Sequence, residues 1–125
     1  MFQHKAVIIH TNGSKSVVEF NEETEYDVLS GAVGGYIERV TMRNEVDMWV
    51  NEEGKLNGLP QNPIATAIWQ DSYGNTDVIV GDVIFTCDSD TEGNILGLSE
   101  AQIEELLAYN SRLWTMESFV RDSFA

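Results

Sequence analysis

Short runs of β-branched and aliphatic residues open the chain on either side of a polar turn. The runs are KAVIIHT and KSVVEF, and the turn between them contains Asn12 and Gly13. An Asn-Gly pair favours a tight hairpin turn because both residues tolerate the positive φ angles that such a turn requires. The pattern therefore predicts a β-hairpin at the start of the fold.

Residues 21–35, NEETEYDVLSGAVGG, follow a helical pattern. The apolar positions that recur at helical spacing are Tyr26, Leu29 and Val33. Asn21 or Thr24 is available to cap the N-terminus, and acidic residues fill the first turn. Gly34 or Gly35 supplies a left-handed residue at the C-terminus. The segment predicts an α-helix that ends at the paired glycines.

Two alternating segments predict a second hairpin in the middle of the chain. They are YIERVTM and VDMWVN, and the polar residues 43–45 separate them. The positions that we expect to point inward in the first of these strands are Tyr36, Ile37 or Val40.

A short helix and a strongly apolar strand follow. Asn62 is a candidate N-cap and Pro63 a first helical residue for the helix IATAIWQ. The run DVIVGDVIFTC is the strongest strand pattern in the chain, and Gly81 interrupts it as a bulge or a tight bend does. We expect this strand in the centre of the sheet.

The C-terminal segment predicts a long helix over residues 99–122, opened by a capping box of Ser99 and Gln102. Such a helix is longer than a compact domain of this size needs, so part of it is expected to project. Its apolar residues fall on two faces, which favours a partner or dimer contact. The residues assigned to that contact are Tyr109, Trp114, Met116 and Phe119. The alternative is a break near Asn110 that folds the end back.

Hairpins interleaved with helices favour an α+β fold, in which helices cover a mainly antiparallel sheet. At 125 residues the chain has the length of one ordinary domain. We see no linker, repeat or composition change that divides it. The sequence therefore predicts a single α+β domain over residues 1–125.

Charge narrows the choice of partner. The chain has 21 acidic and 7 basic side chains, a formal net charge of -14. Such a surface repels phosphate backbones and anionic lipids, so we expect neither direct nucleic-acid binding nor membrane binding.

A single cysteine excludes an internal disulfide, and no apolar run has the length of a membrane span. We expect a cytoplasmic protein whose partners are cationic or neutral; the alternative is that the charge serves solubility.

Three motifs stand in order along the middle of the chain. They are AVGGYIE at residues 32–38, NEEGKL at residues 51–56 with Leu59, Pro60, Asn62 and Ala65 after it, and Gly81-Asp82. In order and spacing they resemble a family of small proteins encoded by bacteriophages and plasmids, catalogued as a domain of unknown function. The resemblance implies a mobile-element origin, and with it the cytoplasm of a host cell. It implies no catalytic residues.

The paired glycines are the candidate ligand site, because a bare backbone lets a ligand approach closely. Tyr36 and Glu38 are two apart and therefore share a strand face. The residues expected to line a site for a small ligand, such as a nucleotide or its base, are Gly34, Gly35, Tyr36, Glu38, Asn51 and Asn62. The alternative is structural: the glycines end the helix and turn the chain, and Tyr36 packs.

Other chemistry-bearing residues do not form a convincing site. His4 and His10 share a strand face but are too far apart to bind one ion directly. Residues 88–93 begin like a calcium loop, yet Ser99 stands where a bidentate Glu is required. Cys87 has no histidine near it in sequence to activate it. We therefore expect no cofactor, no metal and no catalytic residue.

Two functions remain open. The first is a small acidic, non-enzymatic binding protein of phage type that acts on a host factor with a basic surface, as a DNA mimic or anti-defence protein. The carboxylates expected to act together are Glu22, Glu23, Glu25, Asp27, Glu104 and Glu105. The alternative is a module that binds or sequesters a nucleotide-like ligand at the turn of Gly34 and Gly35.

Overall fold

The computed structural model describes residues 3–109. The strands are β1 (His4–Ile9), β2 (Lys15–Phe20), β3 (Ile37–Thr41), β4 (Val46–Asn51) and β5 (Val83–Cys87), and the helices are α1 (Glu25–Val33), α2 (Pro63–Tyr73) and α3 (Glu100–Ala108). The strands form one five-stranded sheet in the order β2-β1-β5-β4-β3, and every neighbouring pair is antiparallel. The predicted α+β class and antiparallel sheet are confirmed.

Both predicted hairpins form, and their turns use residues with positive φ. Gly13 has a φ of 90° between β1 and β2. Asn44 and Glu45, between β3 and β4, have φ values of 62° and 61°. Positive φ at two consecutive turn residues matches the right-handed twist of the flanking strands. The turns set the register of the paired strands, and in the first hairpin Ala6 pairs with Val18.

The strand with the strongest apolar pattern, β5, is the middle strand, as expected. β1 and β4 pair with its two edges, and it is buried on both faces because helices cover the sheet above and below. Gly81 bends the chain just before β5, with a φ of 77°. A Cβ atom at this position would lie 2.8 Å from Cδ1 of Leu59, so the bend also depends on a close approach.

The sheet carries an apolar cluster on each face. On one side, which we call the α1 face, α1 packs on the sheet, and the buried residues are Ala6, Phe20, Leu29, Val33, Trp49 and Ile84. The opposite side, the α2/α3 face, has a larger cluster that includes Val7, Ile9, Met48, Ile64, Ile68, Val83, Phe85 and Leu106. Strand alternation explains the division, because neighbouring residues such as Ala6 and Val7 point to opposite faces. The domain therefore has three layers.

The helix termini follow the predicted caps. Gly34 takes the left-handed conformation after α1, with a φ of 78°. Asn62 caps α2 ahead of Pro63, and Ser99 with Gln102 forms the capping box of α3. At the start of α1 the N-cap is Thr24, without a side-chain hydrogen bond.

The predicted long C-terminal helix is not supported, because α3 ends at Ala108. The next residue, Tyr109, has extended backbone angles of φ -67° and ψ 139°, which end the helical hydrogen bonding. Lys15 of β2 donates hydrogen bonds to the carbonyl oxygens of Leu107 and Tyr109. A lysine from the sheet thus satisfies carbonyl groups that the end of a helix leaves without partners. Among residues 3–109, no helix is long and apolar enough to cross a membrane.

Candidate functional site

The turn of Gly34 and Gly35 is closed by the side chain of Asn51. The backbone nitrogens of both glycines donate to the carbonyl oxygen of Ser30, at 2.8 and 3.2 Å. The Asn51 amide nitrogen donates to the carbonyl oxygen of Val33 at 3.2 Å. A Cβ atom on Gly35 would lie only 2.8 Å from that nitrogen. A side chain at position 35 would displace the Asn51 amide from this turn, and this geometry favours the structural interpretation of the paired glycines.

The other predicted ligand residues are spread over different environments. Tyr36 is 65% exposed and does not point inward. Glu38 is an exposed residue of the edge strand β3. Asn62 is fully buried; its amide nitrogen donates to the carbonyl oxygens of Ile9 and Gly81, at 3.0 and 2.9 Å. The structure thus brings together Gly34, Gly35 and Asn51, while the hydrogen bonds of Asn62 go elsewhere.

A cleft of about 360 Å³ lies between α2 and α3, beside the turn that joins β3 to β4. Its apolar lining consists of Met42, Val46, Ile68 and Leu106, and its polar lining of Arg43, Asn44, Asp71, Ser72, Gln102, Glu105 and Tyr109. No sequence pattern indicates this cleft, because its two helices are far apart in sequence. Tyr109 is the one predicted partner residue within residues 3–109; Trp114, Met116 and Phe119 lie outside the described residues.

The polar groups of the cleft are arranged around two carboxylates. The Tyr109 hydroxyl donates to the carboxylate of Asp71. Burial, followed by this hydrogen bond and the negative charge of Asp71, raises the pKa of Tyr109 well above its usual range, so the phenol stays neutral. Glu105 accepts a hydrogen bond from the Asn44 side chain at 3.1 Å. The cleft also contains the cationic Arg43, but its two carboxylates leave it acidic on balance. An acidic cleft above an apolar floor suits a long cationic side chain.

Two groups of surface carboxylates lie on opposite faces of the sheet. The α1 acidic group, at the start of α1, is Glu22, Glu23, Glu25 and Asp27, and the α3 acidic group is Glu100, Glu104 and Glu105. The ion pairs formed by residues 3–109 are His10 with Asp82, Arg39 with Asp47, and Lys55 with Asp77. None of them neutralises a member of either acidic group.

Three basic side chains in the described part of the chain, besides Lys55, make internal contacts. Arg39 donates to Ser89 at 3.0 Å and lies 4.0 Å from the buried carboxylate of Asp47. Arg43 donates to the carbonyl oxygen of Asp71 at 2.9 Å. Lys15 bonds the end of α3, as described above. Because acidic side chains outnumber basic ones by 21 to 7, the field around the protein is negative.

The loop that begins like a calcium site binds its own backbone. One carboxylate oxygen of Asp90 accepts hydrogen bonds from the backbone nitrogens of Glu92 and Asn94, both at 2.9 Å. Within residues 3–109 there is no group of three or more His, Cys, Asp or Glu side chains placed to hold a metal ion.

Cys87 is half-buried, and burial raises the pKa of its thiol, which disfavours the reactive thiolate.

The fold is thus that of a small α+β domain with an acidic cleft on one face and a closed glycine turn on the other. The chain belongs to the family described as Domain of unknown function (DUF3846), whose model matches residues 4–111. Comparisons with curated proteins and with solved structures gave no match.

Proposed function

We propose that this protein is a binding protein that docks on a basic protein of a host cell and imitates nucleic acid through its carboxylates. The observation that supports it most directly is that both acidic groups lack ion-pair partners among residues 3–109. Carboxylates held without counter-charges attract a cationic surface and steer its approach. The host-cell and phage-type setting of the proposal comes from the resemblance carried by the AVGGYIE and NEEGKL motifs.

The α3 acidic group is the better candidate for the docking surface. One of its members, Glu105, lines the cleft, where Asp71 adds a further carboxylate above an apolar floor. A lysine or arginine of the partner would place its aliphatic part on Leu106 and its charge beside Asp71 and Glu105. The α1 acidic group lies on the other face of the sheet, so one flat surface cannot contact both groups. The two groups are therefore expected to differ in their contribution to binding.

The alternative ligand site at Gly34 and Gly35 has less support. Asn51 occupies the space beside Gly35, and its amide is already bonded to the end of α1. A ligand would have to displace that side chain. We therefore place binding in the α2–α3 cleft rather than at the glycine turn.

The proposal is tested with a partner that is captured from host lysate at low salt, identified and then purified. The dissociation constant is measured at increasing salt for the parent protein and for two matched triple variants. One neutralises the α3 acidic group (Glu100→Gln, Glu104→Gln, Glu105→Gln), and the other neutralises three residues of the α1 acidic group (Glu22→Gln, Glu23→Gln, Asp27→Asn).

We expect the α3 variant to bind at least about tenfold more weakly and to show a smaller salt dependence, while the α1 variant changes little. Double-stranded DNA should compete with the protein for the same partner. A complex that is insensitive to salt, or one that DNA does not displace, would contradict nucleic-acid mimicry. Equal losses in the two variants would contradict docking at the cleft.

A further inference from the structure

Three chemistry-bearing side chains meet at one end of the sheet, away from the cleft. His10 directly follows β1, Ser16 lies on β2, and Asp82 directly precedes β5. Because β1 lies between β2 and β5, the histidine stands between the serine and the aspartate. In the sequence, Asp82 is 72 residues from His10, so no local pattern indicates this cluster.

The geometry determines the tautomer of His10. Its Nδ1 atom lies 2.8 Å from Oδ2 of Asp82, and the other carboxylate oxygen accepts a hydrogen bond from the backbone nitrogen of Thr11 at 3.0 Å. An ionised carboxylate only accepts hydrogen bonds, so Nδ1 of the imidazole must carry the proton. In the neutral ring the Nε2 atom then has the free lone pair.

That lone pair faces the hydroxyl of Ser16. The distance between Nε2 of His10 and Oγ of Ser16 is 3.4 Å, so the hydroxyl donates and the imidazole accepts. A serine next to an imidazole that a carboxylate orients is the arrangement of an activated nucleophile, and the nucleophile–base contact is often loose before a substrate binds. The three residues therefore have both the order and the chemistry of a nucleophile, its base and the group that positions the base.

The cluster is accessible from solvent. The side chain of His10 is 32% exposed and that of Asp82 is 37% exposed. The α1 face buries Phe20 at the far end of β2, whereas Ser16, near the start of this strand, is partly exposed. A small molecule can therefore reach the hydroxyl without a change in fold.

We propose that Ser16 is a nucleophile that takes an acyl group from a small carboxylic ester, with His10 as general base and Asp82 as a positioning residue. The serine oxygen bonds to the carbonyl carbon while its proton passes to Nε2 of His10. The ester bond then breaks, and the departing alkoxide takes that proton and leaves as the alcohol. The product is an acyl-serine, from which water releases the acid. The inference is independent of docking at the cleft, since it uses none of the α3 residues.

The test uses the full chain and p-nitrophenyl acetate as the probe. Release of p-nitrophenol is followed by absorbance, and the position of the acetyl group is mapped by fragmentation mass spectrometry. Ser14→Ala is the matched control for Ser16→Ala, because Ser14 lies in the same hairpin but its hydroxyl donates to Asn12 at 2.7 Å. We expect Ser16 to be acetylated in the parent protein and in Ser14→Ala. Release of p-nitrophenol that continues unchanged in Ser16→Ala would overturn the proposal.

Two further variants test the role of each partner. His10→Gln removes the base and is expected to slow acetylation of Ser16 by about 100-fold or more. Asp82→Asn keeps the acceptor for Thr11, but its amide can donate to Nδ1, which reverses the tautomer and turns Nε2 into a donor. We expect this variant to slow acetylation to a similar extent while circular dichroism shows an unchanged fold.

Nitrogen NMR of the His10 ring tests the geometry separately from reactivity. In the parent protein at a pH where the ring is neutral, Nδ1 should be protonated and Nε2 unprotonated, and Asp82→Asn should exchange the two. A parent protein with Nε2 protonated would overturn the assignment of His10 as base. Acetylation that maps only to lysines, or to Ser14 as fast as to Ser16, would overturn the assignment of Ser16.

Discussion

The indole nitrogen of Trp49 donates a hydrogen bond to the hydroxyl of Thr86 across β4 and β5, with 2.9 Å between Nε1 and Oγ1. Both residues are buried, Thr86 completely. A buried polar group costs free energy unless it has a partner, and here each side chain supplies the partner of the other. The pair therefore places two polar atoms inside the sheet without leaving either one unpaired.

Thr86→Val is expected to lower the free energy of unfolding by about 1–3 kcal/mol, because valine keeps the shape of threonine but leaves the Trp49 nitrogen without an acceptor. Urea unfolding measures the change, with exposed Thr91→Val as the control. In a double-mutant cycle with Trp49→Phe, the combined cost should be smaller than the sum of the single costs. Additive costs would show that the hydrogen bond does not contribute.

Gly97 lies against the backbone of β1, which makes its lack of a side chain necessary. An added Cβ atom would be 2.7 Å from Cβ of His4 and 2.8 Å from the backbone nitrogen of Lys5. Because that backbone is held in the sheet, Gly97→Ala should lower the free energy of unfolding by about 1–3 kcal/mol.

Gly31 provides the matched control for Gly97. It lies inside α1, and a Cβ atom there would meet nothing within 4 Å. Gly31→Ala should raise the free energy of unfolding by about 0.5–1 kcal/mol, because glycine is a poor helix former. Equal effects of the two substitutions in thermal or urea unfolding would contradict the close approach at Gly97.

Features that depend on neighbouring residues were predictable from the sequence. The Asn12-Gly13 turn, the capping box of Ser99 and Gln102, and the cap at Asn62 each depend on residues within a few positions of one another. The alternation of the strands likewise predicted the sheet, and the strong apolar run that contains β5 predicted its central strand. These elements were confirmed because local hydrogen bonding and side-chain periodicity determine them.

Features that depend on residues distant in sequence were not predictable. The apolar pattern beyond residue 108 predicts a longer helix, because it does not show that Lys15 of β2 reaches the carbonyl oxygen of Leu107 at the end of α3. The acidic cleft forms only when α2 and α3 pack on the same face of the sheet. Asn62 looked available for a ligand because the sequence does not show that the carbonyl oxygens of Ile9 and Gly81 bind its amide.

Asn62→Asp should be no less harmful than Asn62→Ala, although aspartate is as good an N-cap as asparagine. Both remove the amide that donates to two buried carbonyl oxygens, and aspartate also brings a negative charge towards them. We expect each substitution to lower the free energy of unfolding by at least about 2 kcal/mol. Ser99→Asp, at the exposed N-cap of α3, should change it by less than about 0.5 kcal/mol. If Asn62→Asp had the same free energy of unfolding as the parent protein, only the N-cap hydrogen bond of Asn62 would contribute to stability.

Asp47 is buried beneath Arg39, and this burial makes the stability of the fold depend on pH. Burial raises the pKa of Asp47 above its usual range, although the charge of Arg39 and a hydrogen bond from Thr41 act in the opposite direction. The folded protein therefore holds this proton at pH values where the unfolded chain has lost it. The stability associated with the group is largest below the usual pKa of an aspartate and falls as pH rises through the raised value.

Asp47→Asn cannot titrate, so its free energy of unfolding relative to the parent protein should increase as pH rises from about 3 to about 7. Urea unfolding of both proteins at several pH values measures this difference. Asp77→Asn is a control of opposite sign, because the hydrogen bond and charge of Lys55 lower the pKa of Asp77. The stability that Asp77 contributes is therefore present above the usual aspartate pKa and is lost as pH falls. If the Asp47→Asn difference stayed constant or decreased with rising pH, the buried carboxylate would not be the source of the pH dependence.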